Sequence, residues 1–477
     1  MDRRSFLTAS LAAASGLAWA EQPEWTAVTA KQASDLLRAK KVSSAELTRA
    51  CLARIEKLQP LLNAYITLTG EQALADARRL DEELQRGKWR GPFHGVPIAL
   101  KDNIDTAGVR TTGAGEVFKD RVPAEDAEVA RRLKNAGAVL LGKLNLHEFA
   151  YGGTSAVSHY GPVHNPWDPT LTPGGSSGGP GAAVAAGMCF ASIGTDTAGS
   201  IRIPASYCSI VGLKPTYGRV SIRGIIPVAW SLDHAGPMTK TVEDAAIMMN
   251  AIAGYDPQDT TTVDVPVLDY DRALHAATSK LRLGIPRKPF FEDLTADVAK
   301  AMDAALSVLQ KLTGGMRDVT LPQPADSGPI IRAEAYTYHE QWITKTPELY
   351  DPPVRAAIQS GAEVKVESYA RALEGLARSR RDIRKVFSEV DLLVLPTMAD
   401  PPFKIDVGLT RNVSARNTLP FDVFGIPVIS IPCGFTSAGL PIGLQIAGPH
   451  WGEPAVLALA QAYERATDWH TRRPKLG

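Results

Sequence analysis

Short apolar runs that read as buried strands alternate with amphipathic helices along almost all of this 477-residue chain, and that alternation narrows its fold more than any other feature. Strands joined by helical crossovers bury both faces. The pattern therefore predicts an α/β fold: a single large α/β/α domain with a mixed, mostly parallel multi-stranded central sheet covered by helices on both faces. Ser43-Ser44-Ala45-Glu46 has capping-box spacing, and Leu47, Cys51, Ile55 and Leu58 recur on one helical face behind it. Helices are expected over residues 71–86 and 127–135, and a last one over 453–466. Residues 96–100, 138–141, 189–194, 392–395, 428–431 and 442–446 read as strands. No linker or internal repeat divides the chain, so one domain is expected over residues 25–477.

Residues 1–20 read differently. Paired Arg3-Arg4 precede Phe6-Leu7, an apolar run continues to Leu17, and Ala18-Trp19-Ala20 is a small-x-small cleavage site, which together resemble a twin-arginine export signal. The run is about half the length that crosses a bilayer, so no stable membrane anchor is expected after cleavage. The expected mature chain starts near Glu21 and is exported, periplasmic or extracellular. Net charge is +1, which offers no electrostatic basis for binding nucleic acid. Cys51, Cys189, Cys208 and Cys433 stand apart, without a disulfide framework or a CxxC pattern, and read as buried free thiols. His147-Glu148 lacks the second histidine four residues on that a zinc-protease helix needs. No metal and no cofactor are expected. The sequence does not set the oligomeric state, although a homodimer is a common arrangement.

Three segments carry the chemistry: GVPIALKDNIDTAG with Lys101, TPGGSSGGPGAAVAAG with Ser176, and IGTDTAGSIRIPA with Ser200. An amide is a poor electrophile. Cleaving it takes an activated hydroxyl, donors for the developing oxyanion and an acid for the leaving nitrogen. Ser200 is the expected nucleophile, Ser176 the relay, and Lys101, delivered by an apolar strand and kept neutral by burial, the base and acid. The backbone N–H groups of Thr197, Ala198, Gly199 and Ser200 are the expected oxyanion donors. The competing reading of Lys101 is an ion pair with Asp102 or Asp105.

These segments, with EFAYGGTSAVSHYGPVHNPWDPT, GLKPTYGRVSIRGIIP and GIPVISIPCGF followed by GLPIGLQIAG, resemble the amidase signature family from Trp25 onward. The resemblance implies a Ser, cis-Ser, Lys triad on Ser200, Ser176 and Lys101, with Ser177, Asp196 and Arg202 as supports, and an amidase acting on a small-molecule amide. Relatives commonly carry glycine where this chain has Ala198, a change that keeps the N–H donor. Two alternatives stay open. One is the glutaminase (A) subunit of a tRNA-dependent amidotransferase, although the acidic residue expected to hold the amino group of free glutamine is replaced by Ala415. The other is an esterase with Ser176 in a GxSxG elbow. Tyr151, Trp230, Tyr336, His339 and Trp342 are candidates to line the entrance.

Overall fold

The computed structural model describes residues 25–410 and 412–476. The expected export signal at residues 1–20 lies outside the described residues. Eleven strands are described: β1 (Tyr65–Leu68), β2 (Pro97–Lys101), β3 (Val139–Leu144), β4 (Ala191–Asp196), β5 (Val211–Lys214), β6 (His234–Thr239), β7 (Arg282–Ile285), β8 (Gly315–Asp318), β9 (Leu392–Pro396), β10 (Val428–Phe435) and β11 (Pro441–Ala447). They form one sheet in the order β1-β3-β2-β4-β6-β5-β10-β11-β9-β7-β8.

Alternate residues of the central strands enter different hydrophobic clusters, so both faces are covered. Leu392 and Val394 of β9 join the large cluster with helices Ala296–Leu312 and Glu453–Ala466, whereas Leu393 and Leu395 meet Ile383, Phe421 and Phe424 on the other side. The expected fold class therefore holds. Its balance of pairings differs: six strand pairs are antiparallel (β1–β3, β10–β11, β5–β10, β9–β11, β4–β6 and β5–β6) and four are parallel (β2–β3, β2–β4, β7–β8 and β7–β9). The expected predominance of parallel pairing came from the helical crossovers. The antiparallel centre is built partly from short segments without an apolar run. In β6, Gly236 stands where a Cβ would collide with the Leu213 carbonyl oxygen of β5, so close backbone approach replaces side-chain packing there.

Local signals survive folding well. Ser43 Oγ accepts from Glu46 N at 3.2 Å and Glu46 Oε2 accepts from Ser43 N at 2.8 Å, closing the capping box ahead of helix Ser44–Leu62. All four cysteines are buried free thiols.

Packing across this sheet sets the stability. Replacing fully buried Ile429 of β10 by alanine is expected to lower the unfolding free energy by about 2–5 kcal/mol in denaturant titration. Val366→Ala, at a position 74% exposed, should stay within about 0.5 kcal/mol.

Candidate active site

Strands β2 and β4 run parallel with Leu100 opposite Ile193, so Lys101 and Thr195 emerge side by side at one edge of the sheet. Ligands gather at such carboxyl ends. Lys101 Nζ lies 2.6 Å from Ser176 Oγ and 2.7 Å from Thr195 Oγ1, and all of Lys101 is inaccessible to solvent. Burial lowers its pKa to about 7, against the opposing pull of Asp196 and Asp233. A neutral amine here can donate to Thr195 and turn its lone pair toward Ser176. Asp102 instead faces Thr112 and Lys143, and Asp105 pairs with Arg121, so neither takes Lys101 as an ion-pair partner. His147, on the same side, has its pKa lowered to about 3 by burial and by Lys101, and adds no charge at neutral pH.

The loop before helix Gly178–Ala185 holds Ser176 in place through its main chain. The Gly175–Ser176 peptide is cis, and the Ser176 carbonyl accepts from His147 N and Ser155 Oγ, each at 3.1 Å. Ser177 ties this loop to the next: its N–H donates to Ser200 O at 3.2 Å, and its hydroxyl donates to Thr195 O at 3.2 Å. No strand leads into Ser176 and its side chain contacts a lysine, which removes the two structural requirements of the GxSxG elbow.

Beyond β4 the chain turns sharply through Thr197-Ala198-Gly199-Ser200. Arg202 donates to Asp196 from Nε and Nη2, both at 3.0 Å, and from Nη2 to Asp422 at 2.6 Å, all three residues being fully buried. Burial alone would favour a protonated Asp196, but Arg202 and Lys214 hold its carboxyl well below the usual range. That carboxylate accepts from Gly199 N at 2.6 Å and from Ile201 N at 3.1 Å. Gly199 is thus already engaged, and the four expected oxyanion donors reduce to the amides of Thr197, Ala198 and Ser200. Glycine is required at 199 for another reason: φ is +128° and a Cβ would collide with the Thr418 hydroxyl.

Ser200, 9% exposed, meets a cavity of about 200 Å³ walled by Tyr151, Ile203, Val228, Ile331, Val413 and Ala415, with Thr197 and Ala198 beside it. Among the described residues no charged side chain lines it. Larger surface grooves of about 870 and 1010 Å³ contain none of the candidate site residues. Of the aromatic candidates only Tyr151 reaches this cavity. His339, Tyr336 and Trp342 pack instead with Phe118 and Phe149, and Trp230 is exposed. Sequence reasoning missed Thr195, Asn103, Ser155 and Thr418, whose roles are hydrogen bonds across the fold. Asn103, Ser155 and Thr195 do lie within the segments that carry the family resemblance.

A family model described as amidase matches residues 46–457. The chain is 41% identical over 481 residues to the A subunit of glutamyl-tRNA(Gln) amidotransferase from Moorella thermoacetica, covering 94% of this chain and 99% of that one. The protein of the same name from Chloroflexus aurantiacus is 43% identical over 480 residues, covering 94% and 98%. Among solved structures, the peptide amidase of Stenotrophomonas maltophilia superposes with a TM-score of 0.84 at 32% identity, covering 94% of this chain and 98% of that one. The corresponding amidotransferase protein of Thermotoga maritima gives 0.76 at 32% identity, covering 94% and 96%. The expected export is overturned by these relatives, which are named as subunits of an amidotransferase of glutamyl-tRNA(Gln).

The charge balance around the turn is testable. Asp196→Asn leaves the Arg202 guanidinium buried beside a weaker acceptor, and an unfolding free energy about 3–5 kcal/mol lower is expected in denaturant titration. A change below about 1 kcal/mol would mean that the pair does not hold the turn.

Proposed function

The chain belongs to the amidase family, and on that premise we propose that it cleaves the C–N bond of a carboxylic amide through an acyl-enzyme on Ser200. The observation that carries this reading is the buried Lys101 amine in contact with the Ser176 hydroxyl. Ser200 Oγ attacks the amide carbonyl while its proton passes to Ser176 and the Ser176 proton to Lys101. The carbonyl oxygen takes up the negative charge and is met by the amides of Thr197, Ala198 and Ser200. As the C–N bond breaks, Lys101 returns a proton through Ser176 to the leaving nitrogen. Water then repeats the sequence on the ester and releases the carboxylate.

The names of the relatives support one setting for this chemistry over a free-standing amidase: the glutaminase component of a tRNA-dependent amidotransferase, working with partner subunits. A second reading, an amidase acting alone on a neutral amide, is favoured by the cavity itself. Its lining is largely apolar, with Asn412, Thr197 and Ser200 as uncharged polar groups, and it includes Ala415, the position where the family resemblance leads one to expect an acidic residue for the amino group of glutamine. Free glutamine carries both an ammonium and a carboxylate, and burying either without a partner is costly.

The experiment measures ammonia release by the purified chain from glutamine, with and without amidotransferase partner subunits, and from a panel of neutral aliphatic, aryl and peptide amides. Glutamine turnover that appears only with partners supports the amidotransferase reading. Turnover of neutral amides alone supports the second. Whichever amide is used, Ser200→Ala and Lys101→Ala are expected to lose at least about a thousandfold in kcat. Because burial lowers the Lys101 pKa, the amine is charged and inactive as a base below about pH 7 and neutral above it. The rate should therefore rise with pH through a midpoint near 7, and a flat profile from pH 5 to 9 would remove Lys101 as the base.

A further inference from the structure

One carboxylate outside the proposed triad bonds to two separate segments that line the cavity. Asp233, at the entry to β6 and buried, accepts from Thr197 Oγ1 at 2.6 Å. It also accepts from the backbone N–H of Val228 at 3.0 Å and of Ala229 at 3.2 Å. Thr197 belongs to the turn beside Ser200 and Val228 to a different segment, and both line the cavity. The segment between Val228 and Asp233 is itself clamped. Glu334 accepts from Ser231 N at 2.9 Å and Ser231 Oγ at 2.5 Å, and Tyr369 donates to the same Glu334 at 2.9 Å. Arg380 Nη2 donates to Ser231 O at 2.6 Å, and Tyr217 OH to Trp230 O at 2.8 Å. Glu334 lies on helix Gly328–Ile343, which also supplies Ile331 to the cavity.

We infer that Asp233 is a positioning residue that sets the turn bearing Ser200 at a fixed distance from the Val228 segment of the cavity lining, locking it to the clamp formed by Glu334, Arg380 and Tyr217. The inference rests on the reading of Ser200 as nucleophile. Asp233 touches no reacting atom; it acts through Thr197, whose backbone N–H is one of the proposed oxyanion donors. Displacing such a donor by a fraction of an ångström weakens it in the transition state while leaving the cavity able to bind, so the loss falls on the chemical step. A carboxylate suits the place because it can accept from a hydroxyl and two amides at once. An asparagine keeps an acceptor on one side only, so either the amides would face its NH2 or the Thr197 hydroxyl would have to turn from donor to acceptor.

Asp233 also faces charge. Lys101 feels it together with Asp196, and His147 is neutral and adds no charge; burial, with Glu334 adding to it, pushes the Asp233 carboxyl itself up to about 7, against the bonds it accepts from Thr197, Ala229 and Val228. Where Asp233 is ionised it supports the protonated amine, so removing that charge lowers the Lys101 pKa and moves the rising limb of the pH profile to lower pH.

The test uses phenylmethylsulfonyl fluoride as an active-serine probe on the full chain, following its maximal inactivation rate and half-saturating concentration against pH. Labelling of Ser200 in the unmodified protein, absent in Ser200→Ala, checks the nucleophile reading; if Ser200 is not labelled, both that reading and this inference fall. Given labelling, Asp233→Asn is expected to lose ten- to a hundredfold in maximal rate with little change in half-saturation, and to shift the limb to lower pH. Thr197→Val, nearly isosteric and without the hydroxyl donor, should reproduce the rate loss, and the double variant should lose no more than either single one. Asp233→Glu should recover part of the rate. Labelled Ser200 with unchanged rates in both single variants, or losses that multiply in the double variant, would overturn the inference.

Discussion

A lysine amine shut away from water against a serine hydroxyl is the contact on which the site is built. In water an ammonium is held by hydration far more strongly than any pair of hydroxyls could hold it. At the end of β2 that hydration is gone, and Ser176 and Thr195 are the groups Lys101 Nζ meets. The balance moves toward the neutral amine, which has a lone pair to use. The other parts of the arrangement serve to keep that contact dry and aimed. The parallel pairing of β2 with β4 brings Lys101 beside Thr195, and the loop through Ser155, His147 and Ser177 keeps Ser176 over it.

Charge is handled differently one layer below. Asp196, Arg202 and Asp422 are all fully buried, and their desolvation is offset by mutual hydrogen bonds. Asp196 uses its remaining acceptor capacity on Gly199 and Ile201, which fixes the shape of the turn and leaves the Gly199 amide engaged. A buried ion network is thus spent on the geometry of a few backbone amides. Lys101 is left as the amine that changes protonation near neutrality beside Ser176.

The same chemistry suits two settings, and the difference lies in the cavity. Relatives that match along nearly the whole chain carry the name of an amidotransferase component, while the wall formed by Ile203, Val228, Ile331 and Val413 suits an uncharged acyl group. The proposed amide cleavage uses a lysine at the end of β2, a serine in the loop before helix Gly178–Ala185 and a serine in the turn beyond β4. Substrate choice depends on segments contributed from far along the chain, which can change without disturbing that centre.

Much of this was legible in the chain itself. Capping at Ser43, the strand ending at Lys101, the helix over Glu453–Ala466 and the order of the three site segments follow from local pattern, because caps, periodicity and glycine-rich turns are short-range physics. The reading failed where the determinant is a distant partner. Strands such as β6 have no apolar run, since Gly236 packs by backbone approach to Leu213. The engagement of Gly199, the aromatic packing that keeps His339 and Trp342 from the cavity, and the bridge from Asp233 to Thr197 all join residues that no local signal pairs. By itself the sequence determined which groups are present and which local element carries each one. Tertiary structure decided which hydrogen bonds those groups spend on one another, and hence which remain for a substrate, because a donor's availability depends on what folding places within about 3 Å of it.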